Sequence, residues 1–149
     1  MHRGARVDAL ETRLAVRELA ERYASHVDRR RDVATAELFI EDGTLVIEWG
    51  GEQATTTVRG RAAIEAAMKP LDRYRVTQHV IANQLVDFSG ERVRAETYCT
   101  ASHVYDTAEG PRVFVMRIRY LDTFAHDDEW RFAQRHLVVD WTEDRPLGV

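Results

Sequence analysis

Cysteine is almost absent from this 149-residue sequence, in which Cys99 is the single example. One thiol can form neither an internal disulfide nor a multi-cysteine metal site, which fits a reducing compartment. Long apolar runs are absent too. No stretch approaches the roughly 18 residues that a membrane-spanning helix needs, and no apolar segment follows the basic N-terminal residues, as it would in a secretory signal. We therefore expect a cytoplasmic protein that does not contact membranes.

An excess of positive charge is also missing. The net charge is −4 at pH 7, whereas nucleic-acid binding depends on a basic surface, so we expect no nucleic-acid partner. Arg29, Arg30 and Arg31 form the one basic run, and a solvated helix end explains it. With 44% apolar and 31% charged residues, the composition is that of an ordinary globular protein. The length predicts one domain over residues 1–149.

The pattern of apolar residues divides the chain into helices followed by strands. Steps of three and four residues predict one long helix from Asp8 to about Arg30. Two shorter helices are predicted at 32–40 and 61–70, the second stopped by Pro70. Short strands are expected at 44–51 and 55–60, and four long β runs at 74–88, 91–106, 112–126 and 129–142, joined by hairpin turns. This order predicts an α+β fold, with N-terminal helices packed on a curved, mainly antiparallel sheet.

Alternation along two of the long strands predicts a cavity beside a buried charge. In the second long strand one face carries mostly small side chains, namely Val93, Ala95, Thr97, Cys99, Ala101, His103 and Tyr105. Small inward residues leave space for a ligand. The last strand has the row Ala133, Arg135, Leu137, Val139 and Trp141. We expect Arg135 to have a partner there, because an unpaired buried charge is too costly.

His79 and Asp28 are the main candidates for chemistry. His79 interrupts the apolar strand "RVTQHVIANQLVDF", residues 75–88, and alone it would most often be a core histidine satisfied by a hydrogen bond. Beside a carboxylate it becomes a general base. Asp28 lies in the last turn of the first helix, where it opposes the helix dipole. It is either neutralised at the surface by the arginine run or directed inward towards His79 or Arg135.

The remaining candidates each have a plain structural explanation. Tyr23 lies on the apolar stripe of the first helix and could be core. His103 could be a second acid or base, or a polar contact at the mouth of the cavity. Glu48 alternates opposite to its apolar neighbours, so we place it away from the cavity. No ligand spacing, nucleophile elbow or phosphate loop is present, which leaves an acid–base site without a metal and without a cofactor.

The expected lining of the cavity is apolar and indicates a small hydrophobic substrate. The candidate contacts are Leu45, Ile47, Trp49, Met68, Asn83, Cys99, Phe114 and Met116. Asn83 is expected deeper along the same strand face as His79, four residues further on.

From about residue 8 to 142 the chain resembles the SnoaL-like group of the nuclear-transport-factor-2-like superfamily. The resemblance rests on "ERYASHVDRRRDVATAELFIEDGTLVIEWGG", "QHVIAN", "RAETYCTASHVYD" and "WRFAQRHLVVDW". It implies a cystatin-like conical barrel around a deep pocket. The group includes scytalone dehydratase, bile acid 7α-dehydratase and lindane dehydrochlorinase, which share an Asp–His dyad. Asp28 matches the dyad aspartate and His79 the histidine, with Asn83 as in the dehydrochlorinase. Arg135 matches a pocket arginine and Tyr23 a pocket tyrosine.

The resemblance implies a cofactor-independent lyase of the dehydratase type, acting on a polyketide-like or steroid-like compound. His79, oriented by Asp28, would remove a proton from a carbon next to a carbonyl. Tyr23 or Arg135 would hold the oxygen that gains charge, and His103 could protonate the leaving group.

Three alternatives stay open. An isomerase or cyclase could use the same pocket, although Glu48 is displaced from the carboxylate base of ketosteroid isomerases and Asp122 is the one candidate for the aspartate of the cyclases. The protein could instead bind a ligand without chemistry, or be a structural subunit like the small subunit of ring-hydroxylating dioxygenases. A homodimer or homotrimer is common for this fold. The outer sheet residues that could pack a second copy are Tyr98, Thr100, Arg117 and Arg119.

Overall fold

The N-terminal half of the protein forms the helices and two of the strands. In the computed structural model, which describes residues 3–50 and 54–148, helix α1 spans Arg3–Asp28 and α2 spans Asp32–Glu37. Strands β1 (Phe39–Trp49) and β2 (Thr56–Arg59) follow, then α3 (Arg61–Met68) and a 3₁₀ helix (Lys69–Arg73). The four long strands are β3 (Val76–Asp87), β4 (Arg94–Thr107), β5 (Gly110–His126) and β6 (Trp130–Pro146). Among the described residues, no helix is both long and apolar enough to cross a membrane.

The six strands form one mixed sheet in the order β2-β1-β6-β5-β4-β3. The pair β1–β6 is parallel, and the other four pairs are antiparallel. The α+β class and the mainly antiparallel sheet are therefore confirmed. The sheet is not closed into a barrel, however, because β2 and β3 are both edge strands.

Helix α1 lies along the edge of β3, and its side chains form hydrogen bonds with backbone groups of that edge strand. Asp28 accepts a hydrogen bond from the backbone N–H of His79 at 2.9 Å, and Arg17 donates to the carbonyls of Ile81 and Ala82. These side chains satisfy peptide groups that an edge strand otherwise leaves unpaired. The carboxyl end of α1 is thereby held against the middle of β3.

The second helix is shorter than the sequence predicts. It ends at Glu37, and Phe39 and Ile40 already belong to β1. The reason is tertiary: Phe39 pairs with Phe132 of β6 and is fully buried, and the Phe132 N–H donates to the carbonyl of Leu38. The sequence predicts that Pro70 ends the third helix. Instead α3 ends at Met68, and the 3₁₀ helix follows directly. Pro70 lies in the first turn of that helix, where a missing N–H is tolerated.

A β-bulge in β3 corrects the predicted position of Asn83. Ile81 pairs with Cys99, but Gln84 pairs with Thr97, so β3 has one extra residue between them. An extra residue reverses which side chains face inward. Gln84 consequently points to the inner face, where it donates to the Thr97 hydroxyl at 2.9 Å, and Asn83 is exposed.

Two irregularities in β6 change the ends of its predicted inward row. Between the pairs Thr123–Gln134 and Phe124–Phe132 the register skips Ala133, and buried Phe132 takes the inward position. Near the other end the register skips one residue between Val139 and Trp141. Trp141 is therefore 58% exposed on the outer face, opposite Arg117. Association with a second copy through that face stays a prediction.

The core lies between α1 and the inner face of the sheet. Val16, Leu19, Tyr23 and Val27 of α1 are buried against the sheet. Phe39 and Phe132 pack with ring centroids 5.1 Å apart, and Tyr23 meets Phe132 edge-on at 6.1 Å. Small residues on β4 are buried as predicted, namely Ala95, Thr97, Cys99 and Ala101, with His103 at the end of the row. A cavity lies near the 3₁₀ helix, and of this β4 row only His103 lines it.

Candidate active site

The last turn of α1 brings Asp28 into contact with His79 in the middle of β3. His79 Nδ1 lies 2.7 Å from Asp28 Oδ1, and the His79 backbone N–H donates to Asp28 Oδ2 at 2.9 Å. Their side chains are 7% and 19% exposed. Of the two inward partners that the sequence left open for Asp28, the structure therefore selects His79.

Thr77 and Arg30 complete the surroundings of this carboxylate. The Thr77 hydroxyl donates to Asp28 Oδ1 at 3.0 Å and accepts from Arg30 Nη1 at 2.8 Å. Arg30 has a left-handed backbone, with φ of 55°, in a Schellman arrangement: its N–H reaches the Val27 carbonyl and the Arg31 N–H reaches that of His26. Glycine is the usual residue at this position, so an arginine here carries a backbone cost of about 1 kcal/mol.

The hydrogen bonds decide the charge of Asp28 and the tautomer of His79. Burial alone would raise the pKa of Asp28, but hydrogen bonds from the His79 side chain, the His79 backbone and Thr77 outweigh it and lower that pKa below its usual value. Asp28 is therefore an anion at neutral pH. A carboxylate can only accept, so the neutral form of the His79 ring has its proton on Nδ1. The lone pair is then on Nε2.

His79 also lines a cavity of about 240 Å³. Of the predicted substrate contacts, Leu45, Ile47, Trp49, Met68, Phe114 and Met116 line this cavity. The wall also includes Tyr23, His103, Tyr74, Tyr120 and residues of the 3₁₀ helix. On its other side the Asp28–His79 pair borders an open groove of about 980 Å³ between α1 and β3. The histidine base thus faces an apolar space, and its carboxylate is closer to solvent.

Tyr23 can donate a hydrogen bond in this cavity but cannot act as a base at neutral pH. Burial raises the pKa of its phenol to about 12, although the nearby Arg135 acts in the opposite direction. The hydroxyl therefore keeps its proton over the physiological range. A protonated phenol suits an oxygen that gains negative charge during a reaction.

His103 is a neutral hydrogen-bond acceptor rather than an acid. Its Nδ1 lies 3.1 Å from the carbonyl oxygen of Phe114, which can only accept, so the proton is on Nδ1. Burial lowers the pKa of His103 to about 4. The Tyr74 ring packs against it at a tilt of 50° with centroids 4.8 Å apart, and the His79 ring meets it edge-on at 5.7 Å. Of the two sequence-based hypotheses, the polar wall contact is favoured over proton donation.

The low pKa of His103 predicts a specific acid sensitivity. The unfolded chain takes up this proton near pH 6.5, whereas the folded site does so only near 4. The stabilisation is complete above 6.5 and is lost as pH falls towards 4, by about 3 kcal/mol at most. Urea unfolding at pH 7 and pH 4.5 should show a larger loss for the wild type than for His103→Gln. An imidazole that titrates near 6.5 by NMR in the folded protein would contradict this assignment.

Arg135 does not face the cavity, which corrects its predicted catalytic position. Its guanidinium is fully buried and forms two bonds with Asp122, Nε to Oδ1 at 2.9 Å and Nη2 to Oδ2 at 2.8 Å. It also lies 4.3 Å from the ring centre of Tyr23 and 3.8 Å from that of Tyr120. The expected partner of Arg135 therefore exists, and it is Asp122. Because that carboxylate is committed to this pair, Asp122 is not free to act as a base.

Cys99, Asn83 and Glu48 also lie outside the cavity wall. Cys99 is buried in the core below the wall, and burial raises the pKa of its thiol to about 11, so it is not an activated nucleophile. The bulge in β3 exposes Asn83, as described above. Glu48 points away from the cavity as predicted and lies 2.7 Å from Nε2 of His136.

Several site residues were not found from the sequence. Thr77 and Tyr74 lie at the start of the β3 region, and Leu71 and Pro70 come from the 3₁₀ helix. A usable signal existed for Thr77, which is two residues from His79 and so shares its strand face. Among residues 3–50 and 54–148, no group of three or more histidine, cysteine, aspartate or glutamate side chains is arranged to hold a metal ion.

The fold, with helices packed on a curved sheet around a pocket, is that of the nuclear-transport-factor-2-like superfamily. Within that class the chain belongs to the SnoaL-like domain family, whose model matches residues 8–136. A search of curated protein sequences found no match.

Solved structures with the same fold support this placement. A candidate scytalone dehydratase from Novosphingobium aromaticivorans is 23% identical, with 97% of this chain and 94% of that chain covered and a TM-score of 0.77. A hexachlorocyclohexane dehydrochlorinase, LinA-type3 from Novosphingobium barchaimii, is 17% identical, with 93% of each chain covered and a TM-score of 0.75. ActVI-ORFA from Streptomyces coelicolor is 18% identical, covering 87% of this chain and 98% of that chain, with a TM-score of 0.70.

Proposed function

We propose that this protein is a cofactor-independent lyase that eliminates water from a small hydrophobic hydroxy-carbonyl compound. The observation that carries the proposal is the 2.7 Å contact between His79 Nδ1 and Asp28 Oδ1, in a histidine that lines an apolar cavity. A carboxylate on one ring nitrogen orients the imidazole and makes the other nitrogen more basic. The names of two similar structures, a candidate dehydratase and a dehydrochlorinase, denote eliminations and are consistent with it.

The proposed reaction begins with proton transfer from carbon. His79 Nε2 takes a proton from the carbon next to the substrate carbonyl, and the C–H electron pair becomes an enolate. The imidazolium formed is stabilised by the negative charge of Asp28. Tyr23 donates a hydrogen bond to the enolate oxygen. General base catalysis of this kind typically contributes about 10²- to 10⁴-fold in rate.

The second step expels the hydroxyl group. The enolate electrons form the carbon–carbon double bond as the C–O bond breaks, and the departing hydroxide takes the proton from His79 Nε2 to leave as water. The free histidine is regenerated without a cofactor. His79 is the better proton donor for this step because His103 is neutral, with its proton held by the Phe114 carbonyl.

The size of the cavity narrows the proposed substrate. Pockets that take drug-sized ligands have volumes of about 300–1,000 Å³, whereas this cavity has about 240 Å³. We therefore propose a compound of one or two rings, polyketide-like in character, in preference to a four-ring steroid. His103 Nε2 is available to accept a hydrogen bond from a substrate hydroxyl.

Bicyclic β-hydroxy ketones are suitable probes for this reaction. In D₂O the wild-type protein should catalyse deuterium incorporation at the carbon next to the carbonyl, seen by NMR, and formation of the conjugated enone, seen by ultraviolet absorbance. His79→Ala should catalyse neither. Saturable binding of these ketones without exchange or elimination would instead favour a non-catalytic binding protein, in which the polar groups only satisfy one another.

A further inference from the structure

The arginine that follows the end of α1 contacts both the Asp28 support and the cavity wall. Arg30 Nη1 donates to the Thr77 hydroxyl at 2.8 Å and to the Val27 carbonyl at 2.9 Å. On its other side, Nη2 lies 3.4 Å from the Tyr74 carbonyl and Nε lies 3.8 Å from an oxygen of Asp72. Its side chain is 24% exposed, so the guanidinium is largely enclosed between these groups.

The contact with Thr77 gives the hydrogen bonds a fixed direction. A hydroxyl has one proton and two acceptor positions, and a guanidinium can only donate. With Arg30 occupying an acceptor position of Thr77, the hydroxyl proton is directed to Asp28 Oδ1, 3.0 Å away. Bonds that run in one direction along a chain strengthen one another. Arg30 donates to Thr77 and Thr77 donates to Asp28, where this chain of hydrogen bonds ends; His79 donates to the same carboxylate from the other side.

The backbone at Arg30 supplies a second, independent observation. Its φ of 55° makes it the only non-glycine residue with a positive φ among the described residues. This conformation suits glycine, yet the position holds a residue whose side chain makes four polar contacts. Strained backbone positions persist only where the surrounding structure holds them in place, and they cluster at functional sites.

We propose that Arg30 is a positioning residue that orients Asp28 against His79 through Thr77. Through its contacts with Asp72 and the Tyr74 carbonyl, it also connects this pair to the chain segment that contributes Tyr74 to the cavity wall. The proposal rests on the proposed lyase function for its kinetic part and on the contacts alone for its structural part. Arg30 does not reach the reacting atoms. It acts by restricting the position of the Asp28 carboxylate, and small displacements of a catalytic group lower turnover steeply.

The decisive variant is Arg30→Gly, because glycine is compatible with the left-handed backbone. We expect its melting temperature to stay within about 3 °C of the wild type. The rate constant kcat for the hydroxy ketone probes should fall about 10- to 100-fold, with a much smaller change in KM. Thr77→Val, which removes the hydroxyl at nearly constant volume, should lower kcat to a similar extent.

A matched control comes from the neighbouring residue. Arg29 lies at the same helix end, but among the described residues its guanidinium donates hydrogen bonds only to the carbonyl and hydroxyl of Ser25. Arg29→Ala should retain the wild-type kcat. Arg30→Lys keeps the charge but loses the planar guanidinium with its several N–H donors, so its kcat should lie between those of the wild type and Arg30→Gly.

The proton NMR signal of His79 Nδ1–H tests the structural part without any substrate. In the wild type and in Arg29→Ala it should be a slowly exchanging downfield resonance, and in Arg30→Gly and Thr77→Val it should move upfield or broaden. An unchanged signal in both variants would overturn the positioning role, even if the protein proved to be inactive. If the signal changes while the wild type shows no turnover, the positioning role holds and the lyase function fails.

Discussion

Replacing His79 with alanine or Asp28 with asparagine is expected to abolish turnover while leaving the fold intact. The first change removes the base. The second keeps the shape of the side chain but allows an amide N–H to face His79 Nδ1, which favours the opposite tautomer and places the ring proton on Nε2. We expect kcat/KM to fall by at least about 10²- to 10⁴-fold in each variant. The melting temperature should change by only a few degrees, because His79 borders a cavity.

The outer face of the sheet offers a control with the same chemistry. His136 Nε2 and Glu48 Oε2 also lie 2.7 Å apart, but this pair is away from the cavity. His136→Ala and Glu48→Gln should therefore retain full activity. Steady-state kinetics with the hydroxy ketone probes, together with thermal unfolding, measure both effects. Full activity in His79→Ala or in Asp28→Asn would be incompatible with an Asp28–His79 dyad.

Breaking the buried pair Arg135–Asp122 is expected to cause the largest loss of stability. Both side chains are 0% exposed, and removal of one partner leaves a buried charge without compensation. For Asp122→Ala we expect the free energy of unfolding to fall by about 3–5 kcal/mol. Arg135, which lies against the rings of Tyr23 and Tyr120, also loses the partner that orders it, so ligand binding should weaken as a secondary effect.

Two further variants separate this explanation from a simple loss of volume. The double variant Arg135→Met, Asp122→Leu removes both charges and should recover most of the lost stability, since apolar groups of similar volume often replace a buried ion pair without cost. Arg119 and Asp140 form a similar two-bond pair on the outer face, 34% and 26% exposed. Asp140→Ala should cost no more than about 1 kcal/mol. Urea unfolding measures all three, and equal losses for Asp122→Ala and Asp140→Ala would contradict the argument.

The outline of the fold could be predicted from local sequence patterns. Helical steps from Asp8, the alternation in the four long β runs and the hairpin turns between them were sufficient for the α+β class and the main elements. The alternation that sets Leu45, Ile47 and Trp49 opposite Glu48 is confirmed, and these three residues line the cavity with Phe114 and Met116. The small inward side chains of β4 are buried as predicted, but of that row only His103 lines the cavity. These features depend on the period of one helix or strand, which the sequence expresses directly.

The predictions of side-chain orientation were wrong where one extra or skipped residue shifts the in–out alternation of a strand. A bulge in β3 turned Asn83 outward and Gln84 inward, and a register skip in β6 turned Trp141 outward. The backbone hydrogen bonds that create a bulge are made with the neighbouring strand, so the strand's own sequence carries little sign of them. The helix expected to reach Ile40 ended early for a similar reason, because β6 pairs with Phe39.

By itself the sequence determined which side chains could carry acid–base chemistry and which faces were apolar, because composition and periodicity are properties of the chain. Only the tertiary structure decided the partners. Asp28 could have met His79 or Arg135, and the packing of α1 along the edge of β3 selected His79. Arg135 met Asp122 from the adjacent strand instead and was enclosed by aromatic rings. Such choices depend on distances between elements far apart in the chain, which no local pattern specifies.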